Sequence, residues 1–253
     1  MPSPATGMTA FLTGFVVDTL PLYTTNLARS DSHGLYPVRL GRVHTAAERK
    51  EGLRIEVRRR RRARGAEELA KAEALIAANG LAWATQTVPA GGTLTAYLGV
   101  GAEPPTLGLL ARLHEHGFHV LLPICEPERQ LSWVEWHPDV RYERSRYAPI
   151  QEPVGPRLNL SALQEGAPLR PPVAAILLPA TALDDDGRRL GQGGGYYDRF
   201  LAQVDRGPGP LPTAAVVFDD ELLPAGSVPD ELLDRRVEAA VTPSGVKRLR
   251  NRL

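Results

Sequence analysis

Apolar positions are densest at Val173-Ala174-Ala175-Ile176-Leu177-Leu178, a run with no polar interruption. That is the pattern of a central parallel strand covered on both faces. Strand patterns also occupy residues 94–98, 118–122 (ended by Pro123), 214–218 and 237–242. Between them the spacing turns helical over residues 106–116, stopped by Gly117, and over 196–204. Upstream, Thr45-Ala46-Ala47-Glu48 is a capping box, in which hydroxyl and carboxylate satisfy the orphan amides of a helix running to about Arg62. After Gly65 an Ala-rich stretch predicts a second helix over 66–78, closed by Asn79-Gly80, residues that accept a left-handed C-cap. Residues 131–136 alternate and predict a half-exposed edge strand, with Trp133 and Trp136 on opposite faces so that both cannot be core. One of the two is a candidate to line a ligand pocket. Alternating strands and helices predict a three-layer α/β domain with a mostly parallel sheet.

Residues 1–44 are rich in Thr, Ser, Pro and Gly and hold no sustained period, so they read as a mobile extension before a domain over 45–253. That domain is long enough to bury a core without staples. Cys125 is the single cysteine, which excludes an intramolecular disulfide and fits a reducing cytoplasm. The apolar stretch over residues 11–17 is too short to span a bilayer, and no basic residue precedes it. A net charge of +1 points to no particular partner. The run from Arg58 to Arg62 invites a nucleic-acid reading. Five consecutive residues spread around a helix, however, and few aromatics interleave with them, so a solvated face is expected and nucleic acid is not. His114, His116 and His119 straddle the Gly117 helix stop, so their rings are not expected to converge on a metal.

In sheets of this kind ligands bind outside the carboxyl ends of the strands. Three loops then matter: residues 99–103 ending in Glu103, residues 188–198, and Asp219-Asp220-Glu221. The second carries four glycines in the five positions 191–195, immediately before a helix. Backbone amides there can approach a ligand unobstructed by Cβ atoms, and the helix start favours anions. Arg188 and Arg189 can add charge-assisted bonds to phosphate, and Asp198, in the first turn, could hold magnesium shared with phosphate oxygens. The loop is neither a Walker A sequence nor a dinucleotide fingerprint. From composition alone, phosphate binding and a flexible connector both stand.

The stretch Leu178-Pro179-Ala180-Thr181-Ala182-Leu183-Asp184, then Gly187, Arg189-Leu190-Gly191, Gly193 and Gly195-Tyr196-Tyr197-Asp198-Arg199-Phe200-Leu201, resembles the signature of the 5-formyltetrahydrofolate cyclo-ligases, also called methenyltetrahydrofolate synthetases. Lys50-Glu51-Gly52-Leu53-Arg54, the Glu103 to Thr106 loop, Glu152-Pro153 and Asp234 are similar to further elements of that family. Ala180, Leu183, Gln192, Glu221 and Leu233 depart from its usual pattern. The resemblance implies a Rossmann-like (NagB/RpiA/CoA transferase-like) fold. It also implies ATP-dependent closure of 5-formyltetrahydrofolate, possible in polyglutamylated form, to 5,10-methenyltetrahydrofolate with release of ADP and phosphate. ATP would be held by Lys50, Arg54, Arg189, Leu190, Gly191, Gln192, Gly193, Gly194, Gly195, Tyr196 and Tyr197. Folate would be held by Leu98, Glu103, Gln192, Gly193, Gly194, Gly195 and Tyr196, with Arg189 and Tyr197 in catalysis. Mg²⁺ would be bound by Asp198 and Asp234. A monomer with no membrane partner is expected. The competing expectation is a non-catalytic nucleotide- or folate-binding relative with a regulatory or RNA-associated role.

Overall fold

The computed structural model describes residues 44–250 apart from Pro208; the extension expected over residues 1–44 lies outside them but for His44. In chain order the elements are α1 (Ala46–Arg62), α2 (Ala66–Thr87), β1 (Thr93–Thr95), α3 (Leu107–Glu115), β2 (His119–Cys125) and β3 (Leu131–Glu135). There follow β4 (Tyr142–Arg144), β5 (Gln151–Pro153), α4 (Leu160–Glu165), β6 (Val173–Pro179), β7 (Ala182–Asp184) and β8 (Arg189–Leu190). The chain closes with α5 (Tyr196–Val204), β9 (Thr213–Val216), β10 (Leu222–Leu223), β11 (Ala239–Thr242) and β12 (Gly245–Arg248).

Seven strands form the main sheet in the order β12-β11-β9-β6-β1-β2-β3. The five inner strands are parallel, and the two outermost, β12 and β3, pair antiparallel. As its uninterrupted apolar run requires, β6 sits in the middle: Ala175 and Leu177 join the cluster packed by Ile76, Leu109 and Leu110 of α2 and α3. Its alternate residues Ile176 and Leu178 join the opposite cluster with Phe200, Leu201 and Val204 of α5. Three layers result, as the alternating pattern predicts. A smaller sheet, β10-β7-β8, packs on α1 through Val57, Ala182, Leu190 and Val228. The capping box closes reciprocally, Glu48 N donating to Thr45 Oγ1 (3.1 Å) and Thr45 N to Glu48 Oε2 (2.9 Å).

Three local expectations are corrected. Helix α2 runs on through Asn79-Gly80 to Thr87 instead of stopping there. Gly80 serves packing, since a Cβ there would lie 2.7 Å from the Leu109 side chain, and the Asn79 amide donates to the carbonyls of Thr242 (2.9 Å) and Pro243 (3.0 Å). Strand β2 continues past Pro123 to Cys125. Pro123 faces Trp133, whose amide points away from β2 to Leu158 O (2.9 Å), so Pro123 falls at a non-hydrogen-bonded pair; its own nitrogen faces the side that β1, ended at Thr95, has vacated. Trp133 and Trp136 are both buried, because each face of β3 is covered. Trp133 packs on Phe200 with ring centroids 4.9 Å apart, and Trp136 meets the His114 ring and donates to the Tyr142 hydroxyl (2.7 Å).

Candidate active site

Because β1 ends at Thr95, Tyr97 and Leu98 leave the ladder and turn into a cavity of about 420 Å³ beyond the carboxyl ends of the central strands. Helix α1 contributes Lys50 and Arg54, one turn apart; the loop after β1 contributes Leu98 and Glu103; the segment after β11's parallel partner β9 contributes Asp234. The whole run from Arg189 to Asp198 lines the same space. Every residue that the family resemblance assigns to nucleotide, folate or metal therefore lines one cavity.

The glycine loop is shaped for close approach. Gly193 takes φ +99°, and a Cβ there would sit 3.6 Å from the Arg54 guanidinium. Arg54 Nε donates to the Gly191 carbonyl (2.9 Å), and Gln192 Nε2 donates to Glu103 Oε1 (3.3 Å), tying α1 and the Glu103 loop to the glycines. No side chain caps α5 at Gly195, so the first amides of that helix stay available to a ligand.

Charges in the cavity are paired across it. Arg189, buried, donates through Nη2 to Asp198 Oδ1 (2.6 Å), which also accepts from Arg235 N (3.3 Å). Lys50 is 6% exposed, and its Nζ lies 2.5 Å from both Asp234 Oδ2 and Glu231 Oε2. Burial works against the Lys50 charge, but the Asp234 and Glu231 carboxylates outweigh it and raise the ammonium's proton affinity. Tyr197 points its hydroxyl to a buried position with no hydrogen-bond partner. Desolvation, then the neighbouring Cys125 and Glu103, drive its proton affinity well above that of an ordinary phenol. The Cys125 thiol is pushed up to about 12 by burial and the Glu152 charge, so it is a neutral lining group near pH 7.

Several expected participants lie elsewhere. Arg188 does not line the cavity; it pairs with Asp230 (3.3 Å) and Asp184 (3.9 Å). Nor does the Asp219-Asp220-Glu221 loop line it. Glu221, where the family commonly has Gln, accepts Arg61 Nε (2.6 Å) and Nη2 (2.8 Å) in a sealed pair. Arg58, Arg59, Arg60 and Arg64 pair at the surface with Glu51, Glu56, Asp220 and Glu68. Neither tryptophan lines the cavity. The three histidines take separate partners, His116 the Arg112 carbonyl and His119 the Glu135 carboxylate. Among the described residues no cluster of three or more His, Cys, Asp or Glu is arranged to hold a metal, and no helix is long and apolar enough to cross a membrane. Sequence reasoning missed Glu231, 181 positions from Lys50, for which no local signal exists. It also missed Tyr97, whose neighbour Leu98 was named; departure from the strand at Thr95 is what turns both inward.

Fold and cavity together define an α/β protein with a charged, glycine-lined cavity at the strand ends. Residues 46–243 match the model of the 5-formyltetrahydrofolate cyclo-ligase family, and the chain belongs to that family of ligases. The 5-formyltetrahydrofolate cyclo-ligase of Mycolicibacterium smegmatis is 33% identical over 174 residues, 66% of this chain and 82% of that one. The Escherichia coli K12 enzyme of the same name is 30% identical over 159 residues, 61% and 79% of the two chains. The solved 5,10-methenyltetrahydrofolate synthetase of Aquifex aeolicus superposes with TM-score 0.60 at 25% identity, covering 81% of this chain and 94% of that one. Its counterpart from Mycoplasma pneumoniae, 16% identical with TM-score 0.56 over 76% and 97% of the chains, shares the fold.

Proposed function

We propose that this protein closes 5-formyltetrahydrofolate to 5,10-methenyltetrahydrofolate at the expense of ATP. The observation that carries the reading is the meeting of Lys50, Arg54, Arg189, Glu103 and the glycine loop around one cavity. A formamide oxygen is a poor leaving group, so attack of N10 on the formyl carbon needs activation. Transfer of the γ-phosphoryl group to that oxygen releases ADP; N10 then bonds to the carbon, loses its proton, and phosphate departs. The protein's part is positioning and charge neutralisation. Lys50, Arg54, Arg189 and the amides of residues 191–195 hold phosphates. Leu98, Glu103 and Tyr196 hold the folate, and Tyr197 stands beside the reacting groups. Glu221, one of the departures from the family pattern, is paired with Arg61 and does not line the cavity.

Asp198 and Asp234 suit Mg²⁺ in donor chemistry. Each commits Oδ1 or Oδ2 to a cation, keeps its other oxygen, and is about one-quarter exposed (25% and 23%). A magnesium ion held by one or two carboxylates takes its remaining ligands from water and phosphate, and there it would neutralise developing charge. Purified protein incubated with 5-formyltetrahydrofolate, ATP and Mg²⁺ is expected to yield the methenyl chromophore. Absence of ATP-dependent product sinks the reading, and persistence of full activity in excess EDTA removes the metal from it.

A further inference from the structure

Tyr97 is 4% exposed and belongs to the core cluster that includes Leu94 and Phe118, yet it also lines the cavity. Its backbone carbonyl is satisfied by Thr106 Oγ1 (2.7 Å), but its hydroxyl makes no hydrogen bond with any described residue. The hydroxyl of Tyr197, which lines the same cavity, is buried and unpartnered. The ionisable ends of Tyr97, Tyr197 and Glu103 lie near enough to act on one another electrostatically.

The Tyr197 hydroxyl is fully buried without a partner, which is rare and calls for a cause; that of Tyr97 is not fully buried and opens on the cavity. Were Tyr97 only a packing residue, Phe would fill the same volume without a stranded hydroxyl. Arg61 makes no hydrogen bond to it and directs Nε and Nη2 to Glu221 and the Ala180 carbonyl. Glu103 turns its oxygens to Val100 N (3.2 Å) and Gln192 (3.3 Å). The Tyr97 hydroxyl is thus uncommitted within the protein and open to a ligand in the cavity.

We propose that Tyr97 is a substrate-positioning residue whose hydroxyl hydrogen-bonds the polar edge of the folate's flat bicyclic ring at the inner end of the cavity. This rests on the folate reading above. The ring is apolar on its faces and carries donors and acceptors along one edge, which suits a wall of Tyr97, Leu98 and Leu122. Phosphates, by contrast, face the cationic wall of Lys50, Arg54 and Arg189. Tyr97 therefore discriminates between the two substrates.

The test is Tyr97→Phe, which deletes only the hydroxyl. Expected are a rise of about five- to tenfold in the KM for 5-formyltetrahydrofolate, the scale of one lost hydrogen bond, an ATP KM within twofold of wild type, and an unchanged Tm. Isothermal titration with 5-formyltetrahydrofolate, without ATP, is expected to show the same weakening. An unchanged folate KM and affinity, or an equal rise for ATP, overturns the proposal. A wild-type protein that does not bind folate at all fails the functional reading itself, a result separable from any property of the variant.

Discussion

The two ends of helix α1 carry the same kind of residue and use it in opposite ways. At its carboxyl end Arg61 and Glu221 form a two-pronged pair with side chains 2% and 1% exposed, closed on every side. Toward its amino end Lys50 is as deeply set, at 7% side-chain exposure, but its partners Asp234 and Glu231 are 23% and 52% exposed at the cavity. A sealed pair holds the helix down and has nothing to exchange. The open one leaves its carboxylates within reach of water, cations and phosphate. Position relative to the cavity, rather than residue type, separates anchor from site.

Breaking the sealed pair is expected to have the largest effect on stability. Arg61→Ala leaves a buried carboxylate uncompensated and should cost about 3–5 kcal/mol, a fall in Tm on the order of 10 °C. The double variant Arg61→Met with Glu221→Leu should recover most of that loss; failure to recover would mean the arginine does more than neutralise Glu221. Asp198→Asn attacks an open pair and should reverse the balance. We expect kcat/KM to fall about 100-fold, near 2.7 kcal/mol, with less than half the stability loss of Arg61→Ala; thermal melts and initial rates on one preparation compare the two. Gly193→Ala forces φ +99° on a residue with a Cβ and should cost about 1–2 kcal/mol locally, read as a roughly tenfold rise in the ATP KM or fall in kcat with little change in Tm. Thr45→Ala removes the cap of α1 and should cost about 1 kcal/mol in denaturant titration, displacing neither end of the comparison. Cys125 should sharpen it by doing nothing: held neutral with its ionisation near 12, it should react with maleimide at pH 7.5 far more slowly than a free thiol.

What could be read from the residues was what local physics decides. The Thr45 to Glu48 box, the unbroken apolar β6 and the glycine run before α5 each declare their structure within a few positions. The residues that the loop resemblance singled out line a single cavity. Errors arose where distant contacts overrule local preference. Asn79-Gly80 looks like a helix stop until α3 and the Thr242 carbonyl supply partners for both residues. Pro123 looks like a strand stop until the pairing register spares its missing amide. Trp136 looked exposed if Trp133 was core, but Tyr142 and His114 arrive from elsewhere to bury it. The small β10-β7-β8 sheet was illegible, since its strands are two or three residues long.

The outermost strands of the main sheet bear on how copies of this molecule meet. On one flank β12 is only four residues long and carries the exposed charges of Lys247, paired with Asp185 (2.7 Å), and Arg248; on the other, Leu158 already bridges Trp133 of β3. Short, charged or occupied borders deprive a neighbouring chain of a template for intermolecular ladder growth. Crowding during synthesis thus finds little purchase for fibril-like stacking on this sheet.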